Sequence, residues 1–520
     1  MKNFLKRPWV RRTLRGCLWT VITLVTLFLL ARQVEDMYGK RRWAAVKARL
    51  ARDGESLDMH TIFPAPIPDD QNFCAIPALK DIPLGSWNPD DKSAAGLKIK
   101  RLTDSWPRYL GSSITPPGGL LPGAANGLPS DMKAWATWFR NSSQHPAPAT
   151  GNPARDVLAA LSFNDALVAE LAQGLSRPES QFTPAWKTRT LPDNLADIPL
   201  PHLGAIQKVG MMLCLRAAAA ARAGDADTAH QSLLIAARLN QAFLREPFII
   251  SSLVACGVSG VIHGAVWELC NTHSGSAEDF RVLQEALSRM DYRAAYLATS
   301  RGELTFGASI LEYLKRVHGA ILVEHVSDPF DLQPPAFVRW LFRLVPGGWY
   351  DANAAAITEL NYDHSVKPLR DGGFPELLSQ TKGVQAIVDD QNLHPIRNLN
   401  LMLAFQATGA FAGVNYKVIY TQSVENEAIA ACALERYRIE HGAYPDTLEA
   451  ANHPGEPPIP LDILSGKPMG YRKTPDGRYI LWCVGPSGVD HGGKRVLDQH
   501  HPEHTNFSAP AYQGDWVWSF

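Results

Sequence analysis

The chain has 520 residues, of which 46% are hydrophobic and 20% are charged, and its 51 basic side chains balance its 51 acidic ones. These values are ordinary for a globular protein, and the length leaves room for two to four domains. Outside the first fifteen residues, which hold six cations and no acid, the chain is mildly acidic. Composition therefore gives no electrostatic signature of nucleic-acid binding, and we expect no nucleic-acid partner.

The N-terminus has the pattern of a membrane anchor. The six cations precede an uncharged apolar stretch, residues 16–31, that begins at Gly16 and ends at Ala31. Sixteen helical residues span roughly 24 Å, less than a hydrocarbon core of about 30 Å, but Arg15 and Arg32 can snorkel to extend the span. A cleaved signal peptide is the alternative, although no small-x-small cleavage site is evident near Ala31.

The flanking charges predict the orientation of this anchor. Because cations stay on the cytoplasmic side, the N-terminus is expected in the cytoplasm and the bulk of the chain outside it. The sequence therefore predicts a single-pass protein of the inner (cytoplasmic) membrane, which contacts lipid through residues 16–31 and is mainly periplasmic or extracytoplasmic.

Changes in composition predict four regions and a mainly α, α+β fold. Residues 1–31 form the cytoplasmic tail and transmembrane anchor, and residues 32–152 a juxtamembrane helix followed by a Pro/Gly-rich irregular arm. Residues 153–370 show helical periodicity and predict a helical bundle, including a helical hairpin that turns at Gly224. Residues 371–520 predict a long helix and a small antiparallel β module.

One segment of the bundle has an alternative interpretation. Residues 248–267 contain no Asp, Glu, Lys or Arg, and Gly260 and Gly264 have the spacing of packed transmembrane helices. A second membrane span would return the C-terminus to the cytoplasm. Serines, glycines and His263 dilute the hydrophobicity, so a helix buried in the bundle is favoured.

The stretch ERYRIEHGAYPDTLEA, residues 435–450, predicts a helix that ends and restarts. Gly442 is a suitable C′ residue and Pro445 cannot continue the helix. Asp446 is predicted to cap a short helix, with Glu449 completing a capping box. Two β-rich runs around Gly477 then predict a hairpin, and GDWVWSF predicts a final strand.

This order of elements resembles the C-terminal half of the type II secretion major pseudopilins, over roughly residues 426–493. In that family a long helix packs on a small antiparallel sheet, and a Gly/Asp loop often holds calcium. The resemblance implies calcium as a possible cofactor, with Asp490 and Asp515 as ligands, although His491 stands where a second acid would help. The anchor lies about four hundred residues upstream of the module, and no prepilin-peptidase site precedes it. Assembly into a pseudopilus by the usual route is therefore not expected.

The whole chain also resembles large membrane-anchored proteins of planctomycete and verrucomicrobial type. The resemblance rests on DDQNF at residues 69–73, RGE at residues 301–303, ACALERYR and the closing GDWVW. It implies no activity and no cofactor.

No complete catalytic motif is present, so catalytic candidates are single acids. Asp69 and Asp389 each open an Asp-Asp-Gln-Asn tetrapeptide, and Glu303 lies in a helical region, where an ion pair with Arg301 is the expected role. A hydrolase would need these three carboxylates in one cleft, with the reacting pair roughly 5–10 Å apart. The preferred interpretation is a non-enzymatic scaffold or interaction protein, which we expect to act in the envelope or in secretion, with envelope proteins as partners.

Seven cysteines are present without a CxxC motif. Three of them, Cys214, Cys256 and Cys270, lie in apolar helical patterns and are expected to be buried thiols. An exported domain can oxidise others, and Cys432 with Cys483 is the predicted disulfide.

Overall fold

The computed structural model describes residues 8–86, 88, 90–106, 117, 121–142, 144–182, 195–317, 344–393, 401–495 and 514–520. These residues form a mainly helical protein with one three-stranded antiparallel sheet near the C-terminus. The predicted fold class is confirmed at this level, as is a long apolar helix at the N-terminus.

The elements follow one another in chain order. The N-terminal helices are α1 (Pro8–Arg52), α2 (Met59–Ile62), α3 (Ala94–Thr103), α4 (Gly123–Asn126), α5 (Met132–Ser142), α6 (Pro153–Leu161) and α7 (Asp165–Ala172). The central helices are α8 (His202–Ala223), α9 (Ala226–Leu244), α10 (Ile249–Thr272), α11 (Ala277–Ser288) and α12 (Tyr292–Arg316). The later elements are α13 (Gly347–Asn361), α14 (Lys367–Asp371), α15 (Gly373–Leu393), α16 (Met402–His441), β1 (Gly470–Lys473), β2 (Tyr479–Val484) and β3 (Asp515–Trp518).

Helix α1 combines an exposed apolar half with a packed half. Its 45 residues extend over roughly 67 Å. Leu18 and Leu30 are 57% and 58% exposed, whereas Trp43 and Leu50 are 4% and 2% exposed. The packed half lies against α12 and α13 in a hydrophobic cluster separate from the main core. One uninterrupted helix therefore joins the membrane-compatible stretch to the folded domain.

The contact between α1 and α13 depends on two glycines. A Cβ atom at Gly39 would lie 1.8 Å from the carbonyl oxygen of Gly348, and a Cβ at Gly348 would lie 2.3 Å from the backbone of Asp36. The Gly348 N–H donates to Asp36 Oδ1 over 2.6 Å, at the N-terminus of α13. Only residues without side chains permit this approach, and the Asp36 carboxylate offsets the positive end of the α13 dipole.

Ion pairs extend the contact along the second half of α1. Arg42 pairs with Glu359 over 2.7 Å, and both guanidinium ends of Arg49 donate to the Asp363 carboxylate, over 2.5 and 3.0 Å. The Tyr362 hydroxyl donates to Asp53 just beyond the helix. Bidentate and clustered pairs constrain geometry more than isolated surface pairs do. The second half of α1 is therefore fixed in both position and rotation.

The predicted helical hairpin is confirmed. Helices α8 and α9 are joined at Gly224, whose φ of +82° is the left-handed conformation of a helix C-cap, and Asp225 caps α9 by accepting from Thr228 N–H. Residues 217–220 of α8 are alanines with no exposed surface, which lets neighbouring helices approach closely.

Among the described residues, three helices are long and apolar enough to cross a membrane, namely α1, α8 and α10. The apolar part of α1 is not buried in the protein, whereas most of the corresponding part of α8 and of α10 is. Helix α10, the possible second span, packs against α8, α9 and α16. Its core position agrees with the favoured interpretation of residues 248–267.

The predicted irregular arm is more ordered than its composition indicates. Helices α3 and α5 form within it; α3 packs on α8, and α5 packs on α6, which itself packs on α8. Phe73 and Phe139 have no exposed surface and belong to the main core, which also includes residues of the bundle and of the sheet. Short helices separated by prolines give no long periodic run, so their burial was not evident from the sequence.

Helix α16 connects the bundle to the C-terminal sheet. It is a single helix of 40 residues that ends at Gly442 with a φ of +80°, as predicted. It packs on α10, α11 and α15 and also contacts β2 and β3. The predicted capping box at Asp446 and Glu449 is wrong: a 3₁₀ turn (Leu448–Ala451) forms without a side-chain cap, and Asp446 instead pairs with Lys473 over 2.9 Å.

The predicted β-hairpin is confirmed around Gly477. Strand β1 pairs with β2 in the register Lys473 to Tyr479, and β3 pairs with the other edge of β2. Trp516 and Trp518 on β3 are 1% and 0% exposed, so the last strand closes the core against α16.

The glycine contact predicts the effect of one methyl group. Gly39→Ala should lower the free energy of unfolding by about 1–3 kcal/mol, because the added Cβ separates α1 from α13. Thermal unfolding of the full chain in detergent measures the change. Gly383→Ala is the matched control, since no atom lies within 4 Å of the added Cβ, and it should stabilise α15 by up to about 1 kcal/mol. Equal stability of Gly39→Ala and wild type would contradict the proposed contact.

Candidate functional site

The densest buried charge in the described residues lies along α16. Glu425, Glu427 and Glu435 have 0–1% exposed surface, and Arg436 has 4%. All four come from the stretch ENEAIAACALERYR, residues 425–438. Burying an unpaired charge costs several kcal/mol, so the partners of these side chains decide whether they serve structure or chemistry.

Glu425 lies in a polar cluster between α10 and α16. His263 Nε2 is 2.6 Å from Glu425 Oε2, and both side chains are buried. Burial raises the pKa of Glu425, and the neighbouring His263 opposes that rise. Ser259, one turn earlier on α10, hydrogen-bonds to the Tyr292 hydroxyl and accepts from Asn240 Nδ2 over 2.7 Å. The cluster thus links α9, α10, α12 and α16 by polar contacts inside an apolar core.

Glu427 positions the sheet. Its Oε1 accepts from the backbone N–H of Cys483 over 3.0 Å, in the middle of β2. Asp462, 2% exposed, accepts from the next backbone group of that strand, the Val484 N–H, over 3.2 Å. Burial raises the pKa of Glu427 well above its ordinary value. Backbone amides of β2 therefore hold both carboxyl groups.

Glu435 and Arg436 fix the turn that follows α16. Glu435 accepts from the Tyr444 hydroxyl and from Arg438 Nε, the latter over 2.9 Å. Arg436 makes a bidentate pair with Glu456 over 2.7 and 2.8 Å. The abrupt end of the helix in ERYRIEHGAYPDTLEA is therefore held by the side chains of its own last turns. Because these groups are buried and paired, they hold the turn in place and are not accessible to a substrate.

Glu303 does not form the predicted ion pair with Arg301. Arg301 donates instead to Glu55 over 2.7 and 3.1 Å, and Glu303 Oε1 accepts from the Ile249 N–H over 2.9 Å. Residues two positions apart on a helix point in nearly opposite directions, which explains the error. Ile249 is the first residue of α10, so Glu303 satisfies a free backbone donor at that helix N-terminus. Burial raises the pKa of Glu303 to about 7, although the hydrogen bond from Ile249 opposes the rise.

Asp69 lies in different surroundings from Glu303. Its carboxylate is exposed and pairs with Lys80 over 2.9 Å, which lowers its pKa. The structural residue of DDQNF is Asn72, whose Oδ1 accepts from the N–H groups of Cys74 and Gln181 over 3.0 and 2.9 Å. These bonds join the arm to the segment that follows α7.

Asp389 lies in α15, but its side chain falls outside the described residues. The shared cleft of the three carboxylates therefore stays a prediction.

The Gly/Asp loop brings the two calcium candidates into one region. Asp515 accepts from the N–H groups of His491 and Gly493, over 3.0 and 2.8 Å. Asp490 Oδ1 accepts from Trp482 Nε1 over 2.9 Å and from Gly492 N–H over 2.8 Å.

Backbone amides and an indole therefore satisfy these carboxylates, and the N–H of Gly492 lowers the pKa of Asp490. Within the described part of the chain, no group of three or more His, Cys, Asp or Glu side chains has a metal-binding arrangement. Calcium takes six to eight oxygen ligands, so a site at Asp490 and Asp515 would need further oxygen donors, and it stays a prediction.

The predicted disulfide between Cys432 and Cys483 is wrong. Both are free, buried thiols. Cys483 Sγ lies 3.9 Å from the carbonyl oxygen of Ser423 on α16, and nine residues of helix separate Ser423 from Cys432, a distance of roughly 13 Å. The expected burial of Cys214, Cys256 and Cys270 is confirmed.

Several clefts lie away from every predicted site residue. A cleft of about 590 Å³ between the arm, the end of α9 and the start of α12 has a mixed lining, half of it prolines, alanines and leucine and the rest mostly polar or charged side chains such as Glu179, Arg289 and Asp291. Its Arg245 is paired with Glu179. A second cleft of about 490 Å³ lies between the start of α15 and the Pro-rich loop at residues 457–460. A third cleft, of about 600 Å³, lies beside α12 and is lined by residues that include Trp43, Glu312 and Asp351. Ser180 and Glu179 both line the first cleft, but the Ser180 hydroxyl donates to the carbonyl oxygen of Arg238 over 2.6 Å.

The buried charges of α16 were not predicted from the sequence. A signal was present, because Glu425, Glu427 and Glu435 flank the apolar run AIAACAL within one helix. Charged residues inside an apolar helical pattern are rarely buried without partners, so they point to long-range polar contacts. The identity of those partners could not be read from the local pattern.

Comparisons with known proteins give no relative from which a function could be transferred. The chain matches no protein-family model, no curated protein and no solved structure at a significant level.

The raised pKa of Glu303 predicts a pH dependence of stability. In the unfolded chain this carboxyl titrates near its ordinary value of 4.5, and in the folded protein near 7. Between these values the folded state binds more protons, so the contribution of Glu303 to stability falls as the pH rises. Glu303→Gln keeps an acceptor for Ile249 N–H without a charge and should raise the free energy of unfolding by up to about 3 kcal/mol at pH 8.

Urea unfolding at pH 4.5 and pH 8 measures this difference, which should shrink at the lower pH. The matched control is Glu449→Gln, at an exposed position, which should change little at either pH. A Glu303→Gln variant that is less stable than wild type at pH 8 would show that the carboxylate is favoured where it lies.

Proposed function

We propose that the protein is a membrane-anchored scaffold or interaction protein of the cell envelope. In this proposal α1 crosses the inner membrane once, the N-terminus is cytoplasmic, and the helical bundle and C-terminal sheet lie on the extracytoplasmic side. The observation that carries the proposal is the continuity of α1, whose exposed apolar half runs into a half fixed by Gly39, Arg42 and Arg49. A rigid junction holds the folded domain at a constant height and orientation relative to the bilayer.

The distribution of polar groups supports a structural role. The buried charges of α16 pair with the bundle on one side and with the sheet on the other, through contacts such as Glu425 with His263 and Glu427 with β2. Buried polar contacts of this kind specify one arrangement of parts even where they add little stability. The predicted catalytic acids Asp69 and Glu303 have structural partners of their own.

The pseudopilin-like character of the C-terminal module remains part of the proposal. A long helix, α16, packed on a three-stranded antiparallel sheet supports it. In this protein, however, the sheet also contacts α4, and Trp267 of α10 donates to the carbonyl oxygen of Ser519 over 2.8 Å. We propose that the module presents a surface to other envelope proteins.

A hydrolase is the alternative, and one observation favours it. A carboxyl with a pKa of about 7, as found for Glu303, is suited to general acid–base chemistry. The shift arises from burial and not from a second carboxylate, and the group caps α10. A structural explanation is therefore sufficient for Glu303.

The position of the C-terminus tests the proposed topology. Alkaline phosphatase, which is active only outside the cytoplasm, should be active when fused after Phe520 through a flexible linker. A green fluorescent protein at the same position, exported in unfolded form, should be dark. Fusions after residue 12 are the matched controls and should give the reverse pattern. Fluorescence without phosphatase activity at Phe520 would overturn the extracytoplasmic assignment and the envelope role.

A further inference from the structure

An exposed apolar stripe on α1 continues beyond the predicted end of the anchor. Val34, Met37 and Tyr38 are 59%, 45% and 52% exposed. At 100° per residue they share one face of the helix, and Gly39 and Trp43 lie on the opposite face, against α13 and α12. The described residues place no protein group over this stripe that would bury it.

The stripe is continuous with the apolar surface of the anchor. Exposed large apolar side chains begin at Leu18 and recur through Leu30 before reaching Val34 and Tyr38. From Leu18 to Tyr38 the helix rises roughly 30 Å, which equals the thickness of a hydrocarbon core, whereas residues 16–31 rise only about 24 Å. When the stripe is included, the apolar length of α1 matches the thickness of the hydrocarbon core, which residues 16–31 alone do not reach.

The residues at the end of the stripe suit a membrane–water interface. Tyr38 has an amphipathic ring, and the next residues on the exposed surface, Lys40 and Arg41, are cations. Aromatic rings and snorkelling cations occupy the level of lipid headgroups and phosphates. We call the opposite face of α1, which packs against α12 and α13, the docked face. On this face polar residues begin earlier, at Arg32 and Asp36. The two faces of α1 thus change from apolar to polar about two turns apart, as expected for a tilted helix.

We propose that lipid covers this stripe, so that the undocked face of α1 leaves the bilayer at Tyr38 and Arg41 and not at Ala31. The inference rests on the proposed anchoring of α1 and adds where the bilayer ends and how the helix is oriented. The folded domain then lies on the upper side of a tilted helix, and Arg41 contacts lipid phosphates beneath it. The docked face, with Gly39 and Gly348 in contact, stays out of the lipid.

Cysteine accessibility in proteoliposomes tests the inference with the full-length chain. The background variant is Cys17→Ser, because Cys17 is exposed and the other six cysteines are buried. Single cysteines replace Val34, Met37 or Tyr38, with Leu27→Cys as the lipid-facing control and Ala45→Cys as the exposed control beyond Arg41. Labelling with a membrane-impermeant maleimide is followed by mass, and thermal unfolding verifies that each variant is folded.

Because maleimides react with thiolates, which lipid excludes, cysteines at 34, 37 and 38 should label at least about tenfold more slowly than at 45. Labelling as fast as at 45, with 27 still protected, would place the stripe in water and overturn the inference while leaving the anchor intact. Fast labelling at 27 would refute the anchor itself. A second copy of the chain could instead cover the stripe. In that case protection would be lost when the protein is diluted with lipid, and cysteines at 37 or 38 would form disulfide-linked dimers. That result would also overturn the inference.

Discussion

The close approach of α1 to α13 is the contact on which the arrangement of this protein depends. Gly39 and Gly348 let the two backbones touch, and Asp36 accepts from the first turn of α13 at the same place. Because α1 has no break between its exposed apolar half and this contact, the orientation of the apolar half determines the orientation of the folded domain. A flexible linker at residues 32–40 would have left the two independent. The ion pairs of Arg42 and Arg49 then fix the rotation of the helix about its axis.

Helix α16 has a comparable role at the other end of the molecule. Its buried carboxylates contact α10, the sheet and the turn after Gly442, so one helix sets the relative positions of bundle and β module. Desolvating Glu425, Glu427 and Glu435 is unfavourable, and the hydrogen bonds that they accept offset that cost only for one arrangement of the partners. The main core also joins distant parts of the chain, since it includes residues from Phe73 in the arm to Trp518 in the last strand. The predicted boundaries at residues 152 and 370 fall within this core, and the parts depend on one another for burial.

Features set by local chemistry were predictable from the sequence. The turn at Gly224, the helix end at Gly442 and the hairpin at Gly477 each require a left-handed glycine, and the structure has one at each position. Features set by distant partners were not predictable. Arg301 pairs with Glu55, 246 residues away, and Glu303 caps a helix that begins at Ile249. Neither pairing leaves a local signal, and the same reason accounts for the wrong disulfide between Cys432 and Cys483.

Hydrogen exchange of the α1 backbone, in the full-length protein held in lipid nanodiscs, tests the continuity of the anchor and the domain most directly. Residues 32–44 connect the exposed apolar half of α1 to the packed half, and the exchange of their amides reports local opening. The account predicts protection without interruption across these residues, equal to that of α12 and α13. Rapid exchange centred on residues 32–40, with protection on either side, would reveal a hinge and contradict a rigid junction.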